Sequence, residues 1–344
     1  MLNSFRPGQK WLDTNGNLIQ AHGGSVLFHE GKFYWYGENK ENTYVETGLW
    51  HQGVRCYSST DLYNWTDEGI ILEAVEDDPR SPLHPNRIMD RPHILYHKGN
   101  RQFVMWVKFA GTDENPADWS TQYMGVAISD KITNPFQLVH TVKPLGMNSG
   151  DFDLYADPAD GKGYIIFGRI HTEVVIADLT ADYLNVNGYY SAHFPRTGPP
   201  EGRESPALFR HGHRFYLMTS GTTGYQSNPS EVATAQLIHG PWAELGDACR
   251  NDMHRNSFDS QFSSVLQHPF KKDLYIALGD RWMDGAPKEK VEGPKWNAAL
   301  SGYTWLPIRF DGERPFIEWH DEWRVEEYED KERELSWWEK PIGV

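Results

Sequence analysis

An all-β fold, a five-bladed β-propeller, is what this sequence predicts, and three features predict it. A unit of polar or acidic entry residue, short β-rich run, tight polar turn and second apolar strand comes round five times. Its period of about 50 to 70 residues marks a radial or stacked repeat, and blades of four short strands fill that length. The runs alternate apolar and polar positions between Gly, Pro, Asn and Asp, which is strand chemistry, and no long amphipathic helix is legible. At 344 residues the length admits two domains, but propellers run long as single units, so 1–344 reads as one domain.

Blades are expected to start near residues 24, 91, 151, 205 and 261. The first opens at Gly24-Ser25-Val26-Leu27-Phe28, turns at His29-Glu30-Gly31-Lys32 and returns as Phe33-Tyr34-Trp35-Tyr36. The second opens at Arg91, turns at His97-Lys98-Gly99-Asn100 and returns as Phe103-Val104-Met105-Trp106. The third and fourth open at Asp151 and Ser205, and the fifth at Gln261. Second halves repeat too, as in Gly53 to Tyr57, Met124 to Ile128, Val174 to Leu179, Glu231 to Ala235 and Tyr303 to Ile308. Insertions at 73–89, 113–120 and 283–297 are rich in Pro, Gly and charge, as surface loops that shape a funnel would be. Residues 1–11 are expected to close the ring by adding a strand to the last blade. The charged tail 325–344, with Trp337-Trp338, has no assigned place.

Composition bounds the function. Aromatics reach 14%, with 14 Trp, enough for both blade packing and sugar-stacking surfaces. A net charge of −15 argues against a nucleic-acid partner, since phosphate recognition needs clustered Lys and Arg. Cys56 and Cys249 alone cannot build a disulfide framework and read as free thiols. No window is long and apolar enough for a membrane span, so no membrane partner is expected. No signal peptide is visible, which reads as cytoplasmic, or as secreted if a leader was trimmed. Phosphate-loop, dinucleotide, His-Glu-x-x-His and paired-Cys motifs are missing, so no cofactor is required. His22 near the axis leaves a structural cation open.

In a propeller, equivalent positions converge on one axis. Asp90, Asp151, Glu204 and Gln261 each stand at the entry of an inner strand, so three carboxylates and an amide are expected to meet in one funnel. Carboxyl groups of differing acidity are what glycosidic hydrolysis needs: one protonates the leaving oxygen, another manages the attacking side. Glu204 is the candidate acid, because neighbouring like charges keep its proton on near neutral pH. A surface Glu paired with Arg203 is the plainer alternative. Asp151 is expected to stay ionised, orient Glu204 and hold up the pKa of that acid; a turn-capping Asp is its alternative. Asp90 reads equally as a sugar-binding group or as the partner of Arg91. Gln261, a neutral amide, is a poor base and reads as a hydrogen-bonding residue.

The stretches Ala21-His22-Gly23-Gly24, Tyr34 to Glu38, Tyr57 to Trp65, Arg203-Glu204-Ser205-Pro206, Asp259-Ser260-Gln261 and Gly279-Asp280-Arg281-Trp282 resemble glycoside hydrolase family 43. More narrowly they resemble its exo-β-1,3-galactanase branch, from about Trp11 to about Trp323. The resemblance implies a five-bladed, inverting enzyme in which Asp151 matches the modulating Asp and Glu204 the acid. The family's first-blade Asp is missing, its place taken by the turn at Ala21 to Gly24. In the branch that absence is made good by a Gln matching Gln261, proposed to act as base through its imidic acid tautomer. Glu38, Tyr123 and Thr223 match sugar-contacting positions, and Arg281 matches a wall position. Departures are Asp90 where the branch has Glu, Arg169 where a pocket acid is expected, and Tyr225 where Trp follows Thr-Gly.

The expected function is therefore an inverting exo-glycosidase that acts on an oligosaccharide or polysaccharide and releases β-1,3-linked galactose. An α-L-arabinofuranosidase or β-D-galactofuranosidase on the same scaffold is the sister alternative. A carbohydrate-binding propeller without catalysis is the alternative of another class, suggested by the missing first-blade Asp.

Overall fold

Twenty strands form five antiparallel sheets of four, each in simple sequence order, in a computed structural model that describes residues 1–43, 46–116, 118–285 and 298–331. The first blade holds β1 (His22–His29), β2 (Lys32–Glu38), β3 (Val54–Ser59) and β4 (Thr66–Leu72). The second holds β5 (Ile88–His97), β6 (Gln102–Ala110), β7 (Gln122–Ser129) and β8 (Gln137–Val142). The third holds β9 (Ser149–Ala156), β10 (Gly163–Arg169), β11 (Glu173–Leu179) and β12 (Val186–His193). The fourth holds β13 (Arg203–His211), β14 (Arg214–Gly221), β15 (Glu231–Ala235) and β16 (Ala243–Asp247). The fifth holds β17 (Gln261–Gln267), β18 (Tyr275–Arg281), β19 (Gly302–Asp311) and β20 (Arg314–Ile317). The first strand of every blade is innermost, and β1 packs on β17 to complete a five-bladed propeller. Helical structure among the described residues is limited to short 3-10 turns.

Aromatic and branched residues recur at the start of each blade's second strand because large side chains must fill the wedge between adjacent sheets. Five apolar clusters result, one per blade interface. Val54, Met89 and Phe103 pack between blades one and two; Phe152, Phe167 and Trp106 between two and three. The seam between blades five and one is the most aromatic, joining Trp35, Trp65, Trp305 and Trp323. Its closure differs from the expected added strand. Phe5 and Trp323 exchange backbone hydrogen bonds of 2.9 and 3.1 Å, and Phe5 stacks on Trp323. This is an isolated bridge, because β17 to β20 already supply four strands. Residues 286–297 of the third insertion and 332–344 of the tail, including Trp337-Trp338, lie outside the described residues.

One backbone irregularity repeats five times and positions the site. Each innermost strand carries one extra residue near its start: between His22 and Ser25, Asp90 and His93, Ser149 and Phe152, Glu204 and Ala207, and Phe262 and Ser264. Such bulges bend a strand and re-aim its side chains. Asp90-Arg91-Pro92 and Glu204-Ser205-Pro206 are the same device, with Arg91 at φ 54° and Ser205 at φ 49°. Non-glycine residues rarely hold positive φ, and the surrounding sheet must over-determine them.

Candidate active site

The bulged inner strands bring Asp90, Asp151, Glu204 and Gln261, and the end of β2 brings Glu38, to one mouth of the central channel, where they line a pocket of about 280 Å³. Gly23 shows how closely the first blade is fitted to it: a Cβ there would collide with Glu38 Oε1, so only glycine lets this carboxyl settle.

Three carboxylates are matched by three buried cations. Lys108 sits 3.0 Å from Asp90 Oδ2 and 2.5 Å from Asp151 Oδ1. Arg91 lies 3.0 Å from Asp151 Oδ2, and its backbone N–H donates to Glu38 Oε1 at 3.0 Å. Lys40 lies 2.7 Å from Glu38 Oε2 and 3.9 Å from Asp90. Trp50 Nε1 donates to Asp90 Oδ1 at 2.9 Å. Buried charges persist only when paired and hydrogen-bonded, and this set meets that condition.

The fourth acid stands apart. Among the described residues no ion pair engages Glu204, and Arg203 turns away to Thr219 and Glu231. Burial, reinforced by the Asp151 charge, pushes the Glu204 carboxyl up to about 8, against the opposing pull of Lys108 and Arg91. Burial would also raise Asp151, but Arg91 and Lys108 overcome it and hold that carboxyl well below the usual carboxylate range. Asp90 is likewise lowered, since Lys108 and Lys40 outweigh its burial. Burial lifts Glu38 to about 7, with Asp90 adding to the rise and Lys40 opposing it. Two neighbouring carboxyl groups, Glu204 and Asp151, are thus driven apart in acidity, the pattern that separates an acid from its ionised partner.

Gln261 is engaged at both ends of its amide. Arg91 Nη2 and Trp282 Nε1 donate to Oε1, at 2.5 and 3.1 Å. Nε2 donates to Ser220 Oγ at 2.9 Å and to Glu204 Oε1 at 3.2 Å. A flipped amide would set its NH₂ against two donors, so the orientation is dictated by its partners. Around this polar floor stands an aromatic wall. Trp50 lies 5.3 Å from Trp119 and 6.5 Å from Tyr225, which in turn lies 5.6 Å from Trp282. Such rings offer flat apolar faces with polar handles, suited to the C–H faces of a sugar.

Three expected residues stand elsewhere. Tyr123 packs on Phe109 beside the core, and its neighbour Gln122 lines the pocket instead, because adjacent strand residues face opposite sides. The Thr223 hydroxyl is used inside its own turn, with Gln226 O and Asn228 Nδ2, while Thr222 and Gly224 reach the pocket. Arg281 points to Phe258 O, Asp259 and Asp284, leaving Trp282 as the wall residue. Arg169 pairs with Glu173 outside the pocket. His22 is stacked on Tyr303 and lies near Asp280, Gln20 and the Tyr303 hydroxyl. Among the described residues no group of three or more His, Cys, Asp or Glu side chains is arranged to hold a metal ion.

In the sequence Arg91 figures only as an ion partner of Asp90, and Lys40, Lys108, Trp50, Trp119 and His171 are not singled out. Lys108 did carry a signal: it is a lone charge inside the run Phe103-Val104-Met105-Trp106-Val107-Lys108-Phe109, and a lysine buried in a core strand requires anionic partners. The two tryptophans come from loops, whose paths no local pattern specifies.

A five-bladed propeller with an acid-lined, aromatic-walled pocket at one mouth of its channel has the form of a glycoside hydrolase. The chain belongs to glycosyl hydrolases family 43, whose sequence profile matches residues 21–285. A solved family 43 β-1,3-galactosidase is 29% identical, with a TM-score of 0.83 over 95% of this chain and 65% of its own. A second, solved with galactodeoxynojirimycin, is 30% identical, with a TM-score of 0.79 over 93% of this chain and 100% of its own. An exo-β-1,3-galactanase from Phanerochaete chrysosporium, solved with β-1,3-galactotriose, is 27% identical at a TM-score of 0.79, covering 94% of this chain and 68% of its own. A curated relative from Escherichia coli (strain K12), provisionally named a beta-xylosidase, is 22% identical over 302 residues, 82% of this chain. The chain spans about half the length of that relative, 52%.

Proposed function

We propose that this protein is an inverting exo-β-1,3-galactanase or galactosidase that releases galactose from the non-reducing end of β-1,3-linked galactosyl chains. The observation that carries this reading is Glu204, a carboxyl driven toward neutrality beside the ionised Asp151 in a small pocket. Galactose as the released sugar is supported by similarity to family 43 galactosidases and galactanases. In this reading Glu204 protonates the glycosidic oxygen as the bond to the anomeric carbon breaks. Asp151 keeps the proton on Glu204 until then and stabilises positive charge developing on the sugar. Glu38 and Asp90, fixed by Lys40, Lys108 and Trp50, accept hydrogen bonds from sugar hydroxyls. The apolar sugar face rests on the Trp119, Tyr225 and Trp282 wall.

Gln261 is assigned to hold the attacking water, which loses one proton to the surrounding solvent as it bonds to the anomeric carbon, while Glu204 later regains a proton from solvent. Its Oε1 faces two donors, so Arg91 and Trp282 favour the carboxamide form. Service as a base through the imidic acid tautomer requires those donors to release Oε1 so that it can carry a proton. Gln261→Ala is expected to lower kcat on β-1,3-galactobiose by about a hundredfold or more. A rise in KM with kcat unchanged would make Gln261 a sugar binder only.

The deciding experiment incubates the protein with galactosyl, arabinofuranosyl and galactofuranosyl oligosaccharides and follows the first-formed anomer by proton NMR. The expected result is α-galactose from β-1,3-linked substrates. A β-anomer would exclude inversion. Binding without turnover on every substrate would favour the non-catalytic alternative.

A further inference from the structure

Lys108 lies at the centre of the charge network, yet sugar binding and proton donation by Glu204 do not in themselves demand a cation at that place. It projects from β6 between two inner strands, touching Asp90 of β5 and Asp151 of β9, and its ammonium stands 5.3 Å over the Trp119 ring. It is 4% exposed, so solvent contributes little to its charge balance. Burying an ammonium is costly, and a structural filler at this place in an apolar strand would be a leucine or methionine.

We propose that Lys108 is a positioning residue for the catalytic proton: by bridging Asp90 and Asp151 it keeps both as carboxylates and sets the pH at which Glu204 gives up its proton. This rests on Glu204 being the proton donor. The charge balance explains why a bridge is needed. Arg91 is already divided among Asp151, the Glu38 carboxyl beside its backbone N–H, and the nearby Asp280. Without Lys108, Asp90 and Asp151 would share only Arg91 and Lys40, and the surplus negative charge would hold protons on Asp151 and Glu204 to higher pH.

Every packed element contributes a titratable or charged group to this cluster. Asp90 and Arg91 come from β5, Asp151 from β9, Glu204 from β13, Glu38 from β2 with Lys40 just beyond it, Asp280 from β18, and His171 from the turn after β10. Of these, Asp151, Lys108 and Arg91 bear most strongly on Glu204. Removing one cation therefore shifts the ionisation of both Asp151 and Glu204 toward higher pH.

The test is a 13C-carboxyl NMR titration of protein labelled at the glutamate side chains, with the Glu204 signal assigned by its loss in Glu204→Gln. Lys108→Gln, which keeps a hydrogen-bond donor but no charge, is expected to move the Glu204 midpoint upward by about one pH unit. Lys108→Arg is expected to return it to the wild-type value. A Glu204 midpoint unmoved in Lys108→Gln, or moved equally by Lys108→Arg, overturns the proposal. Should Lys108→Gln not fold, the double variant with Asp90→Asn removes one charge of each sign. It carries the same measurement, read against Asp90→Asn alone. The titration needs no substrate, so it stands even if the galactosyl reading fails in the hydrolysis panel.

Discussion

Glu204→Gln is expected to lower kcat on an unactivated β-1,3-galactobiose by about a thousandfold or more, with the fold intact. The amide retains the size of the carboxyl and can still meet Gln261, but it cannot give up a proton to the leaving sugar oxygen. A substrate with a nitrophenolate leaving group, which departs without help, should lose far less. The contrast between the two substrates separates an acid from a residue that merely shapes the pocket. The alkaline limb of the wild-type rate profile, set by ionisation of Glu204 near its value of about 8, should vanish in the variant. Stability gives an independent reading. A carboxyl whose pKa is raised by folding stabilises the native state below its unfolded value of 4.5 and loses that contribution as pH rises through about 8. Glu204→Gln should therefore raise Tm relative to wild type at pH 8 and leave it nearly unchanged at pH 4. Near-normal turnover of the disaccharide would remove Glu204 from the acid role.

Asp151→Asn is expected to damage both activity and fold, and in a way that differs from Glu204→Gln. Arg91 and Lys108 each lose a partner in a dry site, and breaking a buried ion pair from one side typically costs about 3–5 kcal/mol. The asparagine NH₂ also turns a donor toward cations that can only donate. For catalysis the sign is clear. Removing the anion beside Glu204 lets that carboxyl ionise more easily, so the alkaline limb of kcat should move to lower pH. Burial of Glu204 persists, and the shift is partial. Together with the lost stabilisation of the positive sugar, kcat at neutral pH should fall by about a hundredfold or more. The direction distinguishes Asp151 from Lys108: removing the anion moves the limb down, removing the cation moves it up. An Asp151→Asn limb that stays in place while kcat falls would make Asp151 a binding residue with no hold on the proton.

The pairing of these two acids depends on backbone as much as on charge. Glu204 and Asp90 precede residues with positive φ in bulged strands, and Asp151 lies within the bulge of β9. In regular strands the register would carry some of these side chains to the opposite face, since a shift of one residue reverses facing. The strained Arg91 also places its guanidinium between Asp151 and Gln261, which ties the two sides of the pocket together.

What the amino-acid sequence determined on its own was the repeat: five units, their strands and turns, and the entry positions held by Asp90, Asp151, Glu204 and Gln261. Period and alternation are local properties, and a closed ring converts equal positions in sequence into neighbouring positions in space. Only the tertiary structure decided which cations and rings complete the pocket. Arg91, Lys40 and Lys108 come from three different stretches of chain, and Trp50 and Trp119 from loops whose paths follow from packing against other blades. It also decided between neighbours, choosing Gln122 over Tyr123, Thr222 over Thr223 and Trp282 over Arg281. The side of a strand or turn on which a side chain falls depends on bulges and hydrogen bonds that form only once the blades are assembled.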